Sequence, residues 1–167
     1  MNDWQQDKAW SDRFIPSIKM ILGLYLIGEA NEKEDRDHNT DLIVLKINAV
    51  RVACRIRRVK YLDEYGDQFT IRTSRPQSNM ETELSKIIAG WGDYFFYGFE
   101  DRSDGIPDVQ NWHLADLNIF RRWNLAPTHA PITRINRDGS SEFHGYKWEW
   151  FPSEFIKGMI VTGEVLC

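Results

Sequence analysis

At 167 residues the chain is long enough for one domain to bury a core without disulfide or metal staples. Its 21 Lys and Arg against 25 Asp and Glu leave a formal net charge of −4, which excludes a protein that coats nucleic acid through its overall charge and leaves a local basic patch as the route to a phosphate backbone. Its two cysteines, Cys54 in a predicted strand and Cys167 at the last position, make no CxxC metal spacing, so a reduced thiol is the expectation.

Residues 2–13 are polar apart from Trp4 and Trp10, and Ser11 caps a helix predicted to run to about residue 31. Ile18, Leu22 and Tyr25 recur at helical spacing, and Glu29 is the next step of that stripe. Its carboxylate either lies in a last turn that reaches solvent or points at the end of a sheet as part of a site. The apolar run 14–27 is interrupted by Pro16, Ser17, Lys19 and Gly23 and falls short of the roughly 20 residues of a bilayer span. No basic lead or small-residue cleavage site accompanies it, so a cytoplasmic protein with no membrane partner is expected.

A charged loop, 32–39, leads into residues 40–58, TDLIVLKINAVRVACRIRR, which read as two strands about a tight turn. Residues directly opposite in an antiparallel pair share a face, so turn length decides what meets Asp41. A two-residue turn at Asn48-Ala49 sets Asp41 against Ile56, whereas a three-residue turn over 48–50 sets it against Arg57 with Arg55 diagonally beside it. The second register keeps the arginines off the face of Leu42 and Val44 and is favoured; it makes Asp41 an arginine partner rather than a metal ligand.

A third strand is predicted over 68–75, with Phe69, Ile71 and Thr73 on one face, ended by Pro76. Ser78 or Asn79 caps a second helix, with Glu81 and Glu83 in its first turns, Leu84, Ile87, Ile88 and Trp91 on its apolar face, and Gly90 or Gly92 as its stop. The aromatic run 94–99, YFFYGF, is a strand buried on both faces. A turn-rich loop over 101–108, a fifth strand over 112–117 and a short helix over 118–123 follow. Segments 132–136 and 142–151 flank Arg137-Asp138-Gly139 as a hairpin, and 152–167 closes the fold.

The expected class is therefore α/β, a mixed central β-sheet flanked by helices in the order α-β-β-β-α-β with a C-terminal β-hairpin extension. No repeat or linker interrupts it, so residues 1–167 form a single domain, with its core in 11–126 and the extension in 127–167. Arg51, Arg55, Arg57, Arg58 and Lys60, with Arg72 and Arg75 on the third strand, concentrate positive charge on adjacent strands. That group is either a phosphate-binding surface or a set of edge charges that blocks aggregation. Strand alternation turns Arg58 and Lys60 away from Arg55 and Arg57, so one site can use only part of it. The four histidines have no zinc spacing.

The element order over 11–100 resembles the core of the PD-(D/E)XK nuclease superfamily, and GWGDYFFYGF and WHLADLNIF are similar to the fourth and fifth strands of its phage and bacterial members. Members carry an acid at the end of the first helix, an Asp opening the first hairpin strand and an acidic-x-Lys triplet in the second. Glu29 and Asp41 match the first two, while VACRIR puts Arg55 on the triplet acid and Arg57 on its lysine. The resemblance implies Mg²⁺-dependent endo- or exonuclease action on DNA or RNA, with Asp41 and Glu29 as metal ligands and catalytic groups beside Arg57, and Arg55, Arg57, Arg72 and Arg75 on phosphate. A guanidinium at Arg55 offers a metal no lone pair. The alternative is an inactive nuclease-like fold that binds nucleic acid, a nucleotide or a protein partner, the last through aromatics such as Trp148 and Trp150.

Overall fold

A computed structural model describes residues 3–29, 42–44, 50–76, 81–101, 108–161 and 164–166. The chain is of mixed α/β class, as its sequence predicts. It separates into two units, residues 1–49 with 101–109, and residues 50–100 with 110–167. Among the described residues no helix is long and apolar enough to cross a membrane.

The first unit contains α1 (Asp3–Asp12), α2 (Ile15–Leu26), β1 (Ile27–Glu29) and β2 (Leu42–Val44). Ser11 does not open a long helix. Its hydroxyl donates to the Lys8 carbonyl at 3.0 Å near the end of α1. The chain turns at Arg13 and Phe14 and α2 begins afresh, which puts Pro16 in a first turn, where its missing N–H is no loss. Trp10 meets Phe14 edge-on at 5.0 Å, and Phe14 and Ile18 are buried.

The helix stops at Leu26 because the next three residues are extended and pair antiparallel with β2, Ile27 to Val44, Gly28 to Ile43 and Glu29 to Leu42. Two expectations are corrected by this ladder. Glu29 is a strand residue and not a helical acid, and Leu42–Val44 takes β1 as its partner instead of the arginine-bearing strand. Ile27, Ile43 and Val44 suit an extended ladder, and β2 follows β1 closely enough in the chain for a local return. Asp41, the turn at 45–49, the loop at 32–39 and the side chain of Glu29 lie outside the described residues.

The second unit carries β3 (Val52–Arg57), a 3₁₀ turn (Val59–Tyr61), α3 (Leu62–Tyr65), β4 (Gln68–Ser74), α4 (Glu83–Ile88) and most of β5 (Tyr94–Asp101) and β6 (Asp108–Asp116). After these come α5 (Leu117–Leu125), β7 (Ile132–Ile135), β8 (Glu142–Lys147), 3₁₀ turns at Trp148–Trp150 and Ser153–Phe155, β9 (Ile156–Val161) and β10 (Glu164–Leu166). One sheet runs β10-β9-β6-β5-β3, with β3 parallel to β5 in the register Arg55 to Tyr97 and Arg57 to Phe99. The other runs β4-β8-β7 and is antiparallel throughout.

The third predicted strand thus forms, but in a different sheet from β3, so Arg72 does not stand on a strand adjacent to Arg55 and Arg57. Alternation explains the choice. Phe69 and Ile71 are 1% and 0% exposed on the inner face of β4, and pairing with the C-terminal hairpin buries both among rings. Phe95, Tyr97 and Phe99 of β5, with Ala53 of β3, supply the facing layer. On the other face of β5, Phe96 is buried against Trp112 at 5.5 Å, so the aromatic strand is covered on both sides as expected.

Helix α5 turns Leu117, Phe120 and Trp123 into the same core, and its Asp116 cap accepts from the Asn118 amide at 2.8 Å. Thr82, rather than Ser78 or Asn79, caps α4 by accepting from the Ser85 amide; residues 77–80 lie outside the described residues. Gly90 follows α4 at φ 95°, the left-handed conformation that ends a helix.

Candidate functional site

On β3 the side chains of Ala53, Arg55 and Arg57 share one face, turned toward the core, while Cys54 is exposed on the other. In the described sheet β3 is an outer strand, so the arginine heads reach past the rings at the border between the two sheets. There they meet β4. The Thr70 carbonyl accepts from Arg55 Nη1 at 2.9 Å, and the Thr70 hydroxyl lies 3.4 Å from Arg57 Nη1.

The two arginines then diverge. Arg55 Nη2 donates to Glu83 Oε2 at 2.5 Å, in a pair whose side chains are 20% and 24% exposed. The same oxygen accepts from the Arg72 amide at 3.1 Å, and the guanidiniums of Arg55 and Arg72 lie 5.8 and 5.2 Å from the Phe143 ring. Glu83 therefore ties β3, β4 and the first turn of α4 together. Glu83→Gln should lower stability by about 2 kcal/mol, because a half-buried guanidinium loses its counter-charge while solvent moderates the loss. Urea unfolding measures it, and adding Arg55→Met to Glu83→Gln should restore most of the difference.

Arg57 instead opens into a cleft of about 840 Å³, shared with Lys60, Arg134 and Arg137 and with a single carboxylate, Glu64. Tyr61, Tyr65, Tyr97 and Phe143 line it as well. Arg57 and Lys60 lie 5.1 and 5.0 Å from the Tyr61 ring, and Arg134 lies 4.6 Å from Tyr65. Arg134 Nη2 donates to Gln68 Oε1 at 2.9 Å, and its Nε is buried without a hydrogen-bond partner. Among the described residues no carboxylate forms an ion pair with Arg57, Lys60, Arg134 or Arg137. Cations gathered in this way repel one another and favour an anion.

Of the residues predicted as a site, Arg57 lines the cleft, Arg55 and Arg72 meet at Glu83 and Phe143, and Arg75 follows β4 without lining the cleft. Glu29 belongs to the first unit and Arg57 to the second. Arg134 and Arg137 were not foreseen. They sit on and just beyond β7, in the segment TRINRDG, where a charged residue before a turn reads as ordinary hairpin surface.

The Mg²⁺ ligands that the sequence suggests, Asp41 and the side chain of Glu29, lie outside the described residues. Arg55 occupies the position where the nuclease resemblance asks for a third acid, and the carboxylate beside it, Glu83, is already engaged by Arg55 and the Arg72 amide. Among the described residues no three His, Cys, Asp or Glu side chains come together as a metal group.

Glu64 also lines a second cleft, of about 480 Å³, with Asp63, Asp67, Asn111 and His113. His113 is 6% exposed, its ring stacked 4.1 Å from Trp148, and burial pulls its pKa down to about 4. Trp150 stacks on His129 at 5.1 Å. Both tryptophans suggested as partner contacts are thus stacked within the fold.

Comparison with protein-family models, with curated proteins and with solved structures returns no match.

Proposed function

We propose that the second unit binds nucleic acid through its phosphate backbone, in the cleft formed by Arg57, Lys60, Arg134 and Arg137. The observation that carries this reading is their convergence, without a carboxylate partner among the described residues, in a chain whose net charge is −4. Positive charge gathered at one place on a negative background attracts a polyanion to that place alone. Anchoring on Tyr61 and Tyr65 fixes the side chains that would meet phosphate, which lowers the entropy lost on binding. The binding alternative is favoured over hydrolysis because Arg55 and Glu83 satisfy each other.

The test is fluorescence anisotropy with labelled oligonucleotides in EDTA. If about four phosphates are neutralised, affinity should fall roughly fiftyfold between about 50 and 200 mM salt. Arg57→Ala and Arg134→Ala should each weaken binding about tenfold and lower the salt slope by about 1. Absence of binding at low salt overturns the reading. Cleavage in Mg²⁺ that Asp41→Ala abolishes would support the hydrolytic reading in its place.

A further inference from the structure

We infer that the cleft takes a single strand and not a duplex, an inference that rests on the phosphate-binding reading above. Its floor is recessed. Thr70 and Tyr97 line it at 5% and 1% exposure, and Arg57 enters from a half-buried position with its Nη1 3.4 Å from the Thr70 hydroxyl. A phosphate that meets Arg57 must therefore descend between the two sheets. The phosphates of a duplex stand on a stiff convex surface, spaced by the helix, and reach only the rim of such a recess. An unpaired strand can bend its backbone inward and turn its bases aside.

Size and lining agree with this. The cleft, about 840 Å³, lies within the roughly 300–1,000 Å³ of small-ligand sites, which suits a few nucleotides at a time. Tyr61 and Tyr65 stand 6.2 Å apart and tilted by 44°, each with a cation at its ring. Rings interleaved with guanidiniums are the surfaces on which unpaired bases stack, with little regard to sequence. Ile135, 67% exposed, adds an apolar side chain to the lining between Arg134 and Arg137. It has no donor to offer a phosphate and only apolar surface to offer a base.

The experiment compares the full chain binding a labelled strand of roughly 12 nucleotides, as DNA and as RNA, with the duplex of the same sequence, at one salt concentration in EDTA. Either single strand should bind at least about tenfold more tightly than the duplex. Tyr61→Ala should weaken single-strand binding about tenfold and duplex binding by clearly less, because the duplex loses only the anchoring of Arg57 and Lys60, while Tyr61→Phe retains both. Thermal melting verifies the fold of each variant, and Ile135→Ser, at an exposed position, replaces Tyr61→Ala if that variant does not fold. Equal affinity for strand and duplex, both lost in Arg57→Ala, would overturn the inference and leave the phosphate reading standing. Single-strand binding indifferent to Tyr61→Ala, or to Ile135→Ser in its place, would also overturn it. No binding of any form would remove both.

Discussion

Phe69→Ala should lower stability by about 4 kcal/mol, the largest effect expected of any single substitution in the second unit. Phe69 is 1% exposed and stacks on Tyr146 at 5.3 Å, with Trp148 at 4.5 Å, Phe151 at 5.6 Å and Phe155 at 5.8 Å. It also meets Phe95 at 5.9 Å, Phe120 at 6.2 Å and Tyr97 at 6.4 Å. Both sheets, α5 and both 3₁₀ turns of the C-terminal segment thus converge on one ring. Truncation removes its transfer energy and leaves a void walled by stiff aromatic side chains that cannot collapse inward, so the cost falls in the upper part of the range for such changes. Since a domain of this size is stable by about 5–15 kcal/mol, the variant should be partly unfolded at moderate temperature. Urea unfolding followed by tryptophan fluorescence should show a much lower midpoint at unchanged slope. An unaltered midpoint would mean that the sheets are not joined through this ring.

Acidification below about pH 6.5 should destabilise the second unit through His113, by about 3 kcal/mol on reaching pH 4. The sign follows from burial. In the folded chain the ring stays neutral down to about pH 4, whereas in the unfolded chain it takes up a proton near its ordinary value of 6.5. Between those limits the unfolded state binds more protons, so stability is fully present above pH 6.5 and is lost as pH falls toward 4. Asp63, Glu64 and Asp67 line the same cleft, and Lys147 pairs with Asp67 at 3.3 Å. These carboxylates favour the protonated ring and so oppose part of the effect. The comparison is therefore with His113→Asn, whose stability is lower at neutral pH but should lack the wild type's decline between pH 6.5 and 5. Parallel pH profiles for the two proteins would show that His113 does not contribute.

What was legible in the sequence was local. The run YFFYGF announced a strand covered on both faces because no polar residue interrupts it, and the short helix read over 118–123 appears as α5. Gly90 stopped α4 where expected. The failures concern partners chosen at a distance. Leu42–Val44 is apolar and β-prone whichever strand lies beside it, and Asn48-Ala49 supplied a turn that favoured the nearer pairing; the ladder with Ile27–Glu29 left no mark in the pattern. The site divides in the same way. Arg57 was visible as a strand arginine, but Arg134 joins its cleft only because β7 and β8 dock on β4. Glu83 was read as an acid favoured by the helix dipole, a role its place in the first turn of α4 permits, while its bond to Arg55 depends on where β3 lies.

The register that joins Gln68 to Lys147 also bears on how the chain is made. On the ribosome, β4 leaves the exit tunnel long before the hairpin that pairs with it and before Phe151 and Phe155, which close over Phe69. Closing so long a loop is slow and needs nearly the whole chain to be present. Until Lys147 emerges, Phe69 and Ile71 lie on an unpaired apolar strand, and a nascent chain stalled before that point displays a segment that chaperones hold and other chains add to.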